Sequence, residues 1–158
     1  MKRLFIISLL FIGIIPMQAK EDSKKLQDFY GVELVSVYDG DTFKVNLSCK
    51  YDVFCKMIGV RVKGVDSPEI RTKDSCEKSM AKKAKAFTKK FLKSGSIVLR
   101  NCQRDKYFRL LCDVFVVDDL TNFSEKTEKS LQEAILTEKL AIRYDGDTKK
   151  NVNWCDFS

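Results

Sequence analysis

The sequence predicts a small α+β barrel, with five strands, one helix set among them and one helix following. Three observations carry that expectation. Apolar residues recur at about every second position through residues 31–48 and 56–65. An apolar stripe at helical spacing follows them. No long low-complexity linker interrupts residues 30–150, so one continuous domain is expected over 20–158.

Taken in order, Val32, Leu34, Val35, Val37, Phe43, Val45 and Leu47 alternate around an Asp-Gly turn signal, which predicts two strands within Gly31 to Ser48. Lys56 to Val65 is a further strand, with Ile58, Val60 and Val62 on one face and Pro68 ending it. Glu77 to Leu92 turns helical, because Met80, Ala84, Phe87 and Phe91 make a single stripe, and Gly95 is placed to cap its end. Ile97–Leu99 and Leu110–Val117 are strands again. A second helix is expected over 125–140, with Leu131, Ala134, Ile135 and Ala141 inward.

Residues 1–19 stand outside this fold. Lys2 and Arg3 give a positive start, Leu4 to Ile15 is apolar apart from Ser8 and Gly13, and Pro16-Met17-Gln18-Ala19 reads as a cleavage region. This is the pattern of a secretory signal peptide, and the apolar run is shorter than the roughly 20 residues a membrane span needs. The expected location is therefore outside the cytoplasm: periplasmic, secreted or at the cell surface. An uncleaved leader is the one membrane attachment the sequence offers.

Lys plus Arg number 29 against 22 for Asp plus Glu, a formal charge of +7, which favours anionic partners. Histidine is absent, which excludes His-based triads, His general bases and His-ligated zinc. The six cysteines, Cys49, Cys55, Cys76, Cys102, Cys112 and Cys155, read as disulfides in an exported chain. Spacing favours two local bridges, Cys49–Cys55 and Cys102–Cys112. That leaves Cys76 for Cys155, tying the C-terminal tail to the body.

Three polar clusters carry possible chemistry. Tyr38-Asp39-Gly40-Asp41-Thr42 sets two carboxylates around a glycine. In Val60-Arg61-Val62-Lys63-Gly64-Val65-Asp66-Ser67-Pro68-Glu69, Arg61 and Lys63 share a strand face, and Asp66 and Glu69 flank a Pro-marked turn. Asp105-Lys106-Tyr107-Phe108-Arg109 lies between two strands. Each alone reads as an ordinary loop.

In order, over about residues 32–146, the three resemble the staphylococcal nuclease family. The resemblance implies an OB-fold barrel with about three helices. It also implies Ca2+-dependent hydrolysis of DNA and RNA phosphodiesters that leaves a 3′-phosphate. Asp41 and Asp66 match the metal carboxylates, Ser67 a carbonyl ligand where the family usually has Thr, and Asp39 an outer acidic residue. Glu69 matches the residue that orients or deprotonates the attacking water, and Arg61 and Arg109 match the phosphate clamp. Tyr107 and Lys106 fall at the bound nucleotide. The chemistry is coherent on its own terms: Ca2+ suits hard oxygen donors, Arg forks suit phosphate, and a chain without His needs a carboxylate base. Mg2+ and Mn2+ share that ligand preference. The alternative reading is a nucleic-acid-binding OB-fold module without catalysis. No stable protein partner is implied, and a monomer is expected.

The departures from the family pattern are also legible. Phe108 replaces the usual Gly, and hairpin packing is its expected role, with base stacking the alternative. The stretch from Asp41 to Arg61 is long and carries Cys49 and Cys55, as a pinned hairpin extension would. Lys139 stands where the family often has Gly. Tyr144-Asp145-Gly146-Asp147-Thr148 repeats Tyr38 to Thr42 and is expected to be a turn after the second helix. Lys82, Lys83, Lys85, Lys89, Lys90 and Lys93 line the first helix as a solvated face, or else as a steering surface for polyanions.

Overall fold

A computed structural model of the chain describes residues 26–118, 127–146 and 152–157. The leader expected at 1–19, the first residues of the expected second helix at 125–126, and Asp147 with Thr148 lie outside them.

The elements run β1 (Gln27–Val37), β2 (Thr42–Asn46), β3 (Ile58–Val62), β4 (Val65–Asp66), α1 (Ser75–Leu92), β5 (Ser96–Arg104), β6 (Leu110–Val117), β7 (Glu128–Ser130), α2 (Leu131–Thr137) and β8 (Ile142–Arg143). Strands pair in the order β3-β2-β1-β5-β6 and are antiparallel throughout, until β3 meets β6 in parallel with Val60 opposite Leu110. That last pairing closes a five-stranded OB-fold barrel and leaves it no free edge between β3 and β6. Strand β7 extends β6, and β4 pairs with β8 as a separate short ribbon.

Alternation explains the core. Phe43 and Val45 of β2, Val60 and Val62 of β3, Leu99 of β5, and Cys112 and Val114 of β6 point inward and are buried. One expected core residue is misplaced: Val35 is exposed. The β1–β2 register shifts between Leu34 and Ser36, and the irregularity turns Val35 outward.

Helix α1 begins two residues earlier than expected. Asp74 caps it by accepting the Glu77 N–H at 2.7 Å, the first half of a capping box. Met80 and Ala84 are fully inward and Phe87 and Phe91 half-buried, while Lys82, Lys83, Lys89, Lys90 and Lys93 face solvent. Gly95 is not a left-handed cap. Its place is dictated by close approach, since a Cβ there would run into the Val117 carbonyl.

Helix α2 is shorter than expected, because Glu128 to Ser130 is drawn into the sheet against β6 before the helix starts. Ser130 then caps it through the Glu133 N–H at 3.3 Å. The described residues carry two α-helices rather than three, and a single turn of 3-10 helix at Trp154–Phe157 stands near the C-terminus. All three cysteine pairs are those expected from spacing: Cys49–Cys55, Cys102–Cys112 and Cys76–Cys155, with Cα separations of 6.2, 4.3 and 5.3 Å. The last pins the buried Trp154 segment to the start of α1.

Candidate active site

The Asp-Gly-Asp-Thr turn joins β1 to β2 and is held from three sides. Tyr38 N–H donates to the Thr42 carbonyl at 2.9 Å, Val62 N–H to the Asp41 carbonyl at 2.8 Å, and the Thr88 hydroxyl of α1 to the Gly40 carbonyl at 2.6 Å. Gly40 is required by contact rather than by φ: a Cβ would lie 2.8 Å from both the Ala84 and Ser67 side chains. The turn is thus pressed between α1 and the segment that follows β4.

That compression buries Asp39, Asp41, Asp66 and Ser67, all at 5% exposure or less. Asp41 accepts the Ser67 N–H at 2.6 Å and the Thr42 hydroxyl at 2.9 Å, and pairs with the Arg61 guanidinium. Arg61 also donates to Asp66 at 3.0 Å and to the Val65 carbonyl at 3.1 Å. Asp39 accepts the Asp41 N–H at 3.2 Å. Burial, reinforced by the nearby Glu69 charge and only partly opposed by Arg61, pushes the Asp39 carboxyl up to about 6.

The second wall comes from the β5–β6 hairpin. Asp105 accepts the Tyr107 and Arg109 N–H groups at 2.8 and 2.9 Å and the Arg109 side chain at 2.8 Å. Burial raises the Asp105 carboxyl, but these donors outweigh it and hold it below the usual value. Arg109 lies 5.3 Å from the Tyr107 ring centre, and Lys106 lies 5.2 Å from it on its own account. Gly59 of β3 leaves room for the Arg109 side chain.

Asp39, Arg61, Asp66, Glu69, Lys106, Tyr107 and Arg109 all line one cleft of about 850 Å³, with Asp41 and Ser67 directly beneath through their bonds to Arg61 and Asp41. Every site residue expected from sequence is therefore in one place. Arg61 is turned onto Asp41 and Asp66. One point differs from expectation. Phe108 does not pack into the hairpin; it is 82% exposed, at a left-handed φ of +60°.

Sequence reasoning missed several contributors. Thr88 anchors the turn, and its signal was a polar residue four positions beyond Ala84 on the inward face of α1. Glu77 accepts the Glu69 N–H at 3.0 Å. Gln132, Tyr144 and Asp145 reach the cleft from α2 and from beyond β8; the repeated Tyr-Asp-Gly motif marked the last two only as a turn, and no local pattern marked Gln132.

The cluster fits an oxygen-liganded cation. Arg61 brings one positive charge to three buried carboxylates, with Glu69 beside them, and the Ser67 hydroxyl is buried without a hydrogen-bond partner. The other grouping of metal-type residues, Asp74 with Cys76 and Cys155, does not fit, because its two sulfurs are bonded to each other.

A closed OB-fold barrel with a buried carboxylate cluster and two arginines on the cleft above it defines a class of phosphate-handling protein. The family model for staphylococcal nuclease homologues matches residues 59–154. The chain is 33% identical over 133 residues to endonuclease YncB of Bacillus subtilis (strain 168), covering 80% of this chain and 56% of that protein. It is 32% identical over 129 residues to the SPbeta prophage-derived endonuclease YokF of the same organism, covering 78% of this chain and 38% of that protein. The chain belongs to the staphylococcal nuclease family. It spans about half the length or less of these curated relatives, and the family match begins after the Asp39–Thr42 turn.

Proposed function

We propose that the chain is an exported, calcium-dependent nuclease that hydrolyses DNA and RNA phosphodiesters with little sequence specificity. The observation that carries this reading is the convergence of the Asp41–Asp66–Arg61 cluster, Glu69 and the Arg109 hairpin on one open cleft. Asp41, Asp66 and the Ser67 carbonyl would hold Ca2+, with Asp39 in the outer shell. The bound ion would polarise the phosphoryl group.

The remaining steps belong to side chains. Arg109, steadied by Asp105, presents its fork to the nonbridging phosphate oxygens, and Arg61 turns its own fork from the carboxylates to the same phosphate. Glu69 takes a proton from the attacking water as the water oxygen bonds to phosphorus. The bond to the 5′-oxygen breaks, that oxygen takes a proton from solvent water and leaves as an alcohol, Glu69 returns its own proton to solvent, and the phosphate stays on the 3′ side. Lys106 and Tyr107 flank the nucleotide. Residues 1–19 act as the signal peptide and 20–158 as the working domain, periplasmic, secreted or surface-held. Three disulfides support an oxidising location.

The test is degradation of single- and double-stranded DNA by the oxidised chain with Ca2+, Mg2+ or EGTA. Cleavage that needs Ca2+ and stops in EGTA is expected. Cleavage with Mg2+ alone would overturn the metal assignment. A folded chain that binds DNA without cutting it would overturn the enzyme in favour of a non-catalytic OB-fold module.

A further inference from the structure

We propose that Phe108 is a base-stacking residue. An unpaired nucleobase, next along the strand from the nucleotide held at Tyr107 and Arg109, packs flat on its ring. The ligand class is single-stranded nucleic acid, and in that respect the inference rests on the nuclease reading above.

Three features of the hairpin tip carry it. The first is exposure: Phe108 is 82% exposed and so has no packing duty, although a bare phenyl ring in water is the arrangement folding normally avoids. The second is backbone conformation. At φ +60° a glycine would sit without strain and a bulky side chain does not, so the ring is kept at a position that disfavours it. The third is rigidity. Phe108 N–H donates to the Asp105 carbonyl at 3.2 Å, and Arg104 donates to the Phe108 carbonyl at 2.7 Å. Asp105 clamps the residues on either side. A ring presented on a fixed backbone binds without first ordering a loop.

The surroundings select the partner. Tyr107 lines the cleft and Phe108, its neighbour, lies just outside it, so a strand leaving the cleft over Tyr107 meets Phe108 next. Lys106 and Arg109 stand over the Tyr107 ring, and Arg104 backs Phe108, which places cations where the phosphates between stacked bases run. Arg104 and Leu110, at the base of the same hairpin, also border a hollow of about 410 Å³ that Phe54 and Ile58 line. Alternating rings and cations continuous with a phosphate-binding cleft are the arrangement that tracks single strands without reading sequence. A lipid surface would use the apolar rings but has no need of their continuity with the cleft.

The test uses the full, oxidised chain in EGTA, so that nothing is cut. Binding of a labelled single-stranded oligonucleotide, and of an abasic strand of equal length and charge, is compared for wild type, Phe108→Gly and Phe108→Trp. Phe108→Gly should melt at or above the wild-type temperature, which shows that it folds. It should bind the intact strand about 10- to 100-fold more weakly, while Phe108→Trp keeps the affinity. On the abasic strand, Phe108→Gly and wild type should bind alike. Wild-type affinity of Phe108→Gly for the intact strand would overturn the proposal, as would an equal loss on the abasic strand. Loss of binding to phosphatidylglycerol vesicles, with strand binding intact, would reassign Phe108 to a membrane. A wild-type chain that cuts DNA alongside an unaffected Phe108→Gly sinks this inference alone; one that binds no strand in EGTA and cuts none with Ca2+ sinks the nuclease reading too.

Discussion

Asp41, at 1% exposure, is a carboxylate that water does not support, and its partners are the reason it is tolerated: a backbone N–H, a hydroxyl and a guanidinium. Asp39 is less well served. Its carboxyl is pushed from 3.8 to about 6, so the folded chain holds that proton more tightly than the unfolded chain does. Stability contributed there is present in acid and is lost as pH rises through about 4 to 6. In chelator, Asp39→Asn should remove this fall and stabilise the protein at pH 7 by on the order of 2 kcal/mol. Urea denaturation at pH 4 and pH 7 measures it, and an unchanged difference between the two would count against the assignment. Glu69, exposed at the cleft mouth, has a different task. Glu69→Gln should lower kcat by about 100-fold or more with little change in KM, as removal of a general base does. Steady-state kinetics with Ca2+ decide it, and unchanged turnover would remove Glu69 from the chemistry.

At the scale of elements, two turns show how local chemistry and packing share control. The Asp-Gly-Asp-Thr turn reads as a turn in sequence, but its geometry is set by Thr88 and Ala84 of α1 pressing on Gly40. Gly40→Ala should therefore cost about 1–3 kcal/mol by overpacking and also lower activity, since Asp41 is the next residue. Chemical denaturation and nuclease assay on the same variant check both, and a neutral result would show that α1 can move away. The end of α2 is the converse case. Lys139 adopts φ +55°, Leu140 N–H reaches the Ile135 carbonyl at 3.0 Å, and Lys139 N–H reaches the Leu136 carbonyl at 3.0 Å. This is the bond pattern of a glycine-ended helix, formed here on a lysine. The segment after α2 must turn back so that β8 can pair with β4, and that pairing outweighs the local preference.

Across the whole molecule, α1 is tied at both ends of its influence. Its middle supports the Gly40 turn, and its start is bonded through Cys76 to Cys155, 79 residues away in sequence. Closing so long a loop constrains the unfolded chain strongly. The double variant Cys76→Ala/Cys155→Ala should lose about 4 kcal/mol on the chain-entropy model. Because Glu77, next to Cys76, holds the Glu69 N–H, the same variant should also lose activity at temperatures well below its melting point. Thermal melts and rates measured together distinguish the two effects, and retention of both would make the bridge dispensable.

The barrel was legible because period-two alternation and the α1 stripe are local consequences of burying one face, and Phe43, Val45, Val60 and Val62 obey them without exception. The site was legible because its three polar clusters sit at element ends, where turn residues stand out in sequence. Cysteine spacing pointed to the bridges, since two pairs are close in sequence and one remains, and the structure selects that pairing from about 15 possible. Only the tertiary structure decided the rest. Parallel closure of β3 on β6 brings the Arg61 strand beside the Arg109 hairpin. The β7 pairing shortens α2, and the tight packing of α1 on the Gly40 turn buries the carboxylates. The inward turn of Arg61 and the outward display of Phe108 belong to the same set. Each depends on which distant backbone or charge a residue meets. Such meetings are governed by chain closure, burial and electrostatics over long sequence separations, which local propensity does not encode.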